Sequence, residues 1–147
     1  MKRFVQISLI LTLLFAFSAF NANAQCKGFA KKICKEELGA YTHDGNYHAA
    51  ILLEGEEAEL YKTFYSDQDY RLAICGSESL PSIEFTVMDA NKKVLYSNAE
   101  NDYSTTWDFK LESSQQLKIV IKVSTFEQLA DNPASGCVAI MFGFMTQ

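Results

Sequence analysis

Hydrophobic and polar positions repeat with three different periods along this chain. From Val5 to Phe20 the residues are almost all apolar, broken only by Gln6, Ser8, Thr12 and Ser18. Over residues 26–38 the apolar positions Cys26, Phe29, Ala30, Ile33, Cys34 and Leu38 recur in steps of three and four. That spacing lines one face of a helix. Lys27, Lys31, Lys32 and Lys35 fall on the other face, where Glu36 and Glu37 dilute them, so they read as a solvated surface. Gly39 supplies a stop.

From Asn46 onward the period changes to two. Tyr47 to Leu53 reads as a strand, and Ala58 to Phe64 alternates loosely as a second. Tyr70, Leu72 and Ile74 share one face, opposite Arg71. Ile83, Phe85 and Val87 alternate with Glu84 and Thr86, and the turn Asp89-Ala90-Asn91-Lys92 leads into Val94-Leu95-Tyr96. Trp107, Phe109 and Leu111 alternate with Thr106, Asp108 and Lys110, which puts Trp107 on the core side. Leu117, Ile119, Ile121 and Val123 alternate with Lys118 and Lys122. Cys137 to Met145 is apolar on both faces, which predicts a central strand covered on both sides. About eight short strands follow one helix, with turn signals between them. This pattern predicts a mainly β protein: an antiparallel, jelly-roll-like β-sandwich with a short N-terminal helix. An exposed partner-binding patch at Phe142 and Phe144 is the alternative to burial of the last strand.

The leading apolar run is short of the ~20 residues that a membrane-spanning helix needs. Lys2 and Arg3 precede it, and Ala22-Asn23-Ala24 follows as a small–x–small cleavage site. Residues 1–24 are therefore expected to be a secretory signal peptide, with Gln25 at the mature N-terminus and residues 25–147 forming one domain. Asn23 and Gln25 break the lipoprotein pattern around Cys26, so no membrane anchor is expected after cleavage. The destination is the periplasm or the outside of the cell.

Composition narrows the function classes. The chain has 147 residues, 48% hydrophobic and 21% charged, enough for one domain with a real core. Removing Lys2 and Arg3 leaves 11 of the 13 bases against all 18 acids, a net charge of −7. That balance argues against nucleic acid as a partner, which requires a basic face.

All four cysteines, Cys26, Cys34, Cys75 and Cys137, lie after the leader, and an even count in an exported chain predicts disulfides. Eight helical residues rise ~12 Å, whereas a disulfide needs Cα atoms within ~7 Å. A continuous helix over 26–34 thus forbids Cys26–Cys34 and leaves two pairings, both stapling the helix to strands. Gly28 weakens that helix, so the third pairing stays open.

Three segments carry a family resemblance. The first is Phe64-Tyr65-Ser66-Asp67-Gln68-Asp69-Tyr70-Arg71-Leu72-Ala73-Ile74, a polar turn, an aromatic and an alternating strand. The second is Ile83-Glu84-Phe85-Thr86-Val87-Met88-Asp89-Ala90-Asn91-Lys92-Lys93-Val94, a strand ending in Asp, a turn and a resumed strand. The third is Ser135-Gly136-Cys137-Val138-Ala139-Ile140, with Val138 at a position where Tyr is favoured. Together, within Leu60–Phe144, they resemble the bacterial pre-peptidase C-terminal (PPC) type of β-sandwich, here in a stand-alone exported form. Gln68-Asp69 departs from the usual Gly before the aromatic strand, and no peptidase precedes the domain. The resemblance implies a sandwich fold and an extracytoplasmic accessory role, and it assigns no catalytic residue.

Candidate chemistry is sparse. The sequence has no Gly-x-Ser-x-Gly elbow and no Cys-x-x-Cys, and its two histidines, His43 and His48, lack the zinc-helix spacing. The histidines read as surface residues, and Ser77 reads as a turn residue. No catalytic residue, metal or cofactor is expected. Glu54, Glu56, Glu57 and Glu59 around Gly55 read as a solvated hairpin, with a cation or basic-partner site as the sharper alternative. Asp89, Asn91, Asn101 and Asp102 offer oxygens of the kind calcium takes, without the twelve-residue calcium loop. Tyr61, Tyr65 and Tyr70 are the candidate ligand-binding aromatics, because aromatics bury much area at low entropy cost. The reading is a non-enzymatic binding or accessory module whose partner is a protein or glycan of the cell envelope. A small secreted hydrolase or hydrolase inhibitor, or a self-assembling structural envelope protein, is the alternative.

Overall fold

The computed structural model describes residues 21–126 and 132–146. Two antiparallel sheets face each other, and helical segments cover the outside of one. Helix α1 spans Asn21–Lys32 and a 3-10 helix spans Cys34–Leu38. Nine strands follow: β1 Thr42–His43, β2 His48–Leu53, β3 Glu57–Phe64, β4 Asp69–Gly76, β5 Ile83–Met88, β6 Val94–Ser97, β7 Thr106–Lys110, β8 Gln115–Val123 and β9 Ser135–Phe144. The first sheet runs β1–β9–β4–β7, with β2 also paired to β9, and the second runs β3–β8–β5–β6.

The period-two residues fill the space between the sheets. Phe64, Leu72, Ile74, Phe85, Val87, Leu117, Ile119, Ile121, Val138 and Phe142 form one buried cluster. The strand apolar on both faces is explained by a third layer. On β9, Val138, Ile140 and Phe142 meet the opposite sheet, while Ala139 and Met141 meet the helical segments. Strand β4 does the same, with Leu72 and Ile74 on one side and Ala73 and Cys75 on the other. The small side chains Ala30, Ala73 and Ala139 let the helix approach the sheet closely. Phe142 is only 1% exposed, so it is core and not a partner-binding patch.

One expectation is corrected. The helix is not one piece over 26–38. The α-helix begins at Asn21 and ends at Lys32, and a tighter 3-10 turn follows. That turn lets both Cys34 and Leu38 reach the sheet, where they are buried. Gly39, at φ +55°, ends it as expected. The expected sandwich of about eight short strands is met by nine among the described residues, the extra one, β1, being two residues long with no readable period. The expected leader lies outside the described residues over 1–20, and the expected cleavage point after Ala24 falls within α1.

The disulfides are Cys26–Cys137 and Cys34–Cys75. This is one of the two pairings compatible with a helical 26–34. The first ties α1 to β9 and the second ties the 3-10 helix to β4. An ion pair adds to this anchoring. Arg71 donates through Nε and Nη2 to both oxygens of Asp108 at 2.6 and 2.7 Å, and its Nη1 reaches the carbonyl of Glu37 at 3.3 Å. The guanidinium also lies 4.7 Å from the Tyr41 ring centre. The hydrogen bonds from Arg71 hold the Asp108 carboxyl below its ordinary pKa against the opposing effect of burial.

Candidate functional site

The two open sides of the sandwich are treated differently. Between β6 and β7 the gap is closed by stacked rings. Tyr96 stacks on Trp107 at 5.1 Å, Trp107 on Phe109 at 4.3 Å, and Phe109 on Tyr70 at 5.5 Å. Trp107 is half-buried in this ladder and packs on the core, as its alternation predicted. Between β2 and β3 the gap stays open. Small residues stand there, Ala50 and Ala58, and they leave a groove of about 360 Å³ floored by Leu52, Leu60, Ile121, Val138 and Ile140.

One end of that side is polar. The β3 alternation that points Ala58, Leu60 and Phe64 inward also points Lys62 inward. An inward ammonium must be paired. Lys62 Nζ donates to Asp44 Oδ2 at 2.8 Å and sits 4.9 Å from the Phe142 ring centre. Asp44 Oδ1 accepts from the Asn46 amide at 2.9 Å, and His43 Nε2 lies 3.6 Å from the same oxygen. Burial alone would raise the Asp44 pKa, but the hydrogen bonds from Lys62 and Asn46 outweigh it and hold the carboxyl low. His48 packs edge-on to Phe142 at 5.8 Å. Burial pulls its pKa down, opposed in part by Asp44. The two histidines are thus half-buried participants in an interlocked cluster rather than simple surface residues.

A second hollow of about 280 Å³ opens beside this cluster, bounded by Asp44, Lys62, Tyr65, Gln68, Tyr70 and Phe144. Tyr65 and Tyr70 therefore come together, and the Tyr65 amide donates to the Tyr70 hydroxyl at 3.1 Å. Tyr65 stands 68% exposed at the rim. Tyr70 is half-buried, and its ring meets Phe64 edge-on at 5.0 Å. Tyr61 is not part of this group. It faces outward from the second sheet, near Lys118, Asp89 and Lys92. Alternation along β3 does not carry to Tyr65, which lies past the strand end.

The remaining candidates are absorbed into turns. Glu56 accepts from the Leu53 amide and Glu54 from the Phe126 amide, while Glu59 pairs with Lys118. Asp89 accepts from the amides of Asn91 and Lys93. Ser77 and Ser79 share a hydrogen bond within the β4–β5 loop. Among the described residues, no three His, Cys, Asp or Glu side chains gather as a metal-ligand group. Sequence reasoning missed Asp44 and Lys62. The available signal was Lys62 occupying a core phase between Leu60 and Phe64.

Both oxygens of Asp44 are taken, one by the Lys62 ammonium and the other by the Asn46 amide. At this end an exposed tyrosine stands beside a half-buried ion pair and an aromatic wall.

No family model matches the chain, and no curated protein matches it. Among solved structures, the fold is similar to that of Aeromonas hydrophila PliG, a periplasmic lysozyme inhibitor of g-type lysozyme, described from its crystal structure. The TM-score is 0.50 and the identity 13%, over 73% of this chain and 89% of PliG. At that identity the two share a fold, the two-sheet sandwich described above.

Proposed function

We propose that this protein is an exported, non-enzymatic module that binds and inhibits a cell-wall hydrolase of the lysozyme class. The observation that carries the reading is the sandwich shared with PliG over 89% of that chain. Two disulfides that staple helix to sheet suit an oxidising compartment outside the cytoplasm. A stand-alone sandwich of the pre-peptidase type, which Leu60–Phe144 resembles, suits the same accessory role. The contact surface is the hollow with Tyr65 at its rim and the Asp44–Lys62 pair at its base. Tyr65 supplies exposed aromatic area, and the pair supplies a fixed polar pattern against which a partner registers.

The test is a titration of the purified, oxidised protein against g-type and other lysozymes clearing a bacterial cell-wall suspension. Inhibition that saturates at a fixed stoichiometry supports the reading. Full lysozyme activity at every ratio, for every class tried, refutes it.

A further inference from the structure

Three of the four sheet edges carry devices that discourage pairing with another strand, and β2 largely lacks them. Edge strands are ordinarily guarded by charge, bulges, brevity or an inward-pointing charge. On β3, Glu57 and Glu59 point outward and Lys62 points inward. Strand β6 is four residues long, and its pairing with β5 shifts register at Val87/Met88. Strand β7 carries Asp108 and Lys110 in five residues. Strand β2 reads His-Ala-Ala-Ile-Leu-Leu, six residues without a carboxylate, lysine, arginine or proline.

Among the described residues no strand pairs with its outer edge, whose backbone directions are fixed by two hydrogen bonds. The Glu54 amide points back towards β9, donating to Ala134 at 2.8 Å, while the Leu53 amide donates to the Glu56 carboxylate. Backbone groups alternate along a strand, so the amides and carbonyls of Ala49 and Ile51 face the open edge with those of Leu53. Glu56 is the edge's one partial guard. The helical layer packs on this strand at Ala49, and beyond it the strand centre is exposed. Ala50 and Ile51 are successive residues pointing opposite ways, yet both are exposed, Ile51 to 46%.

We propose that β2 is a self-pairing edge, joining two copies of this chain antiparallel about a two-fold axis at Ile51. The occupant is a second copy because the strand complements itself in that register. Opposed residues must share a face, and the two-fold sets Ile51 against Ile51 of the second copy. Ala49 then opposes Leu53, Ala50 opposes Leu52, and His48 opposes Glu54. Small residues meet large ones at the two steps nearest the axis. The first sheets of the two copies become one continuous sheet, and the exposed Ile51 and Leu53 side chains are covered. An isologous contact of this kind closes on itself and leaves no further β2 edge.

Sedimentation velocity of the full, oxidised protein over a wide concentration series tests this. The expected result is a two-chain species that grows with concentration. Ile51→Lys should leave one chain only, with the melting temperature equal to that of the wild type at concentrations where the wild type is also a single chain, because the side chain is half exposed. Ile51→Cys should cross-link two chains under mild oxidation, while Val94→Cys, equally exposed on β6, should not. A wild-type protein that stays single at every concentration overturns the proposal. So does a dimer that survives Ile51→Lys, or an Ile51→Cys variant that cross-links no better than Val94→Cys. If the wild type is single and Ile51→Lys weakens lysozyme inhibition, β2 pairs with the hydrolase and the self-pairing reading falls.

Discussion

Replacing the Cys34–Cys75 pair by alanines should cost the fold most of a disulfide's chain-entropy contribution. The magnitude follows from the connectivity. Cys34 and Cys75 are 41 residues apart and Cys26 and Cys137 are 111 apart. Closing a 41-residue loop removes about 4 kcal/mol of denatured-state entropy at 25 °C. The two bridges are not independent. With Cys34–Cys75 closed, the route from Cys26 to Cys137 runs through the bridge and shortens to about 70 residues, so the second bridge contributes about 4.4 kcal/mol. The single removals should therefore be similar, each about 4 kcal/mol at most, and strain or denatured-state structure lowers the observed value. For a domain of this size, 1 kcal/mol shifts the melting temperature by about 3–5 °C, so losses of about 10–20 °C are expected. Cys34 and Cys75 also pack with Ala30, Leu38, Ala73 and Met141, so that variant should additionally lose protection of the 3-10 helix in hydrogen exchange. The assay is urea unfolding of both double-alanine variants beside the wild type. A loss below about 1 kcal/mol for either would refute the loop argument. Peptide mapping that links Cys26 to Cys34 would refute the connectivity.

Phe64 is 1% exposed and meets Tyr70, Phe109 and Phe142 edge-on, so Phe64→Ala should lower stability by about 3–5 kcal/mol in urea unfolding. Acid should destabilise the fold through groups with one common sign. Asp44, Asp108 and His48 all have folded pKa values below their ordinary ones, so each binds fewer protons folded than unfolded. Their stabilisation is complete above the unfolded values, roughly 6.5 for the histidine and 4 for the aspartates, and is lost as pH falls through the folded ones. Thermal melts between pH 7 and 3 should show a falling melting temperature, flattened at the acid end in Asp108→Asn. A melting temperature that rises on acidification contradicts this. Tyr65→Ala should leave stability within about 0.5 kcal/mol, because the ring is mostly exposed, yet weaken lysozyme inhibition by roughly tenfold or more. Equal inhibition by variant and wild type would remove Tyr65 from the contact.

The parts of this fold that were readable in the sequence are those where one periodic signal decides the environment. Ile119 and Ile121 between Lys118 and Lys122 announce a strand with one wet face, and β8 is that. The unbroken apolar run of β9 announces cover on both faces, and the helix layer provides it. Helix geometry favoured two of the three disulfide pairings without closing the third, and the choice among them depends on which strand lies beneath which turn. The split at Ile33 was not legible, because it is imposed by Cys34 and Leu38 turning onto the sheet. The site was less legible still. Tyr65 and Tyr70 meet only because a turn folds one back on the other, while Tyr61, four residues earlier, goes to the opposite surface. Asp44 and Lys62 are 18 residues apart and join through the crossing of β2 into β3 between the two sheets. Sequence spacing carries no trace of such a contact, although Lys62 in a core phase required some partner.

Amide hydrogen exchange with and without saturating g-type lysozyme would test the proposed contact most directly. The account predicts added protection over Thr42–His48 and Lys62–Tyr70, two of the segments that line the hollow around the Asp44–Lys62 pair, the third being the end of β9. Protection confined to other segments, or none at saturating lysozyme, would contradict it.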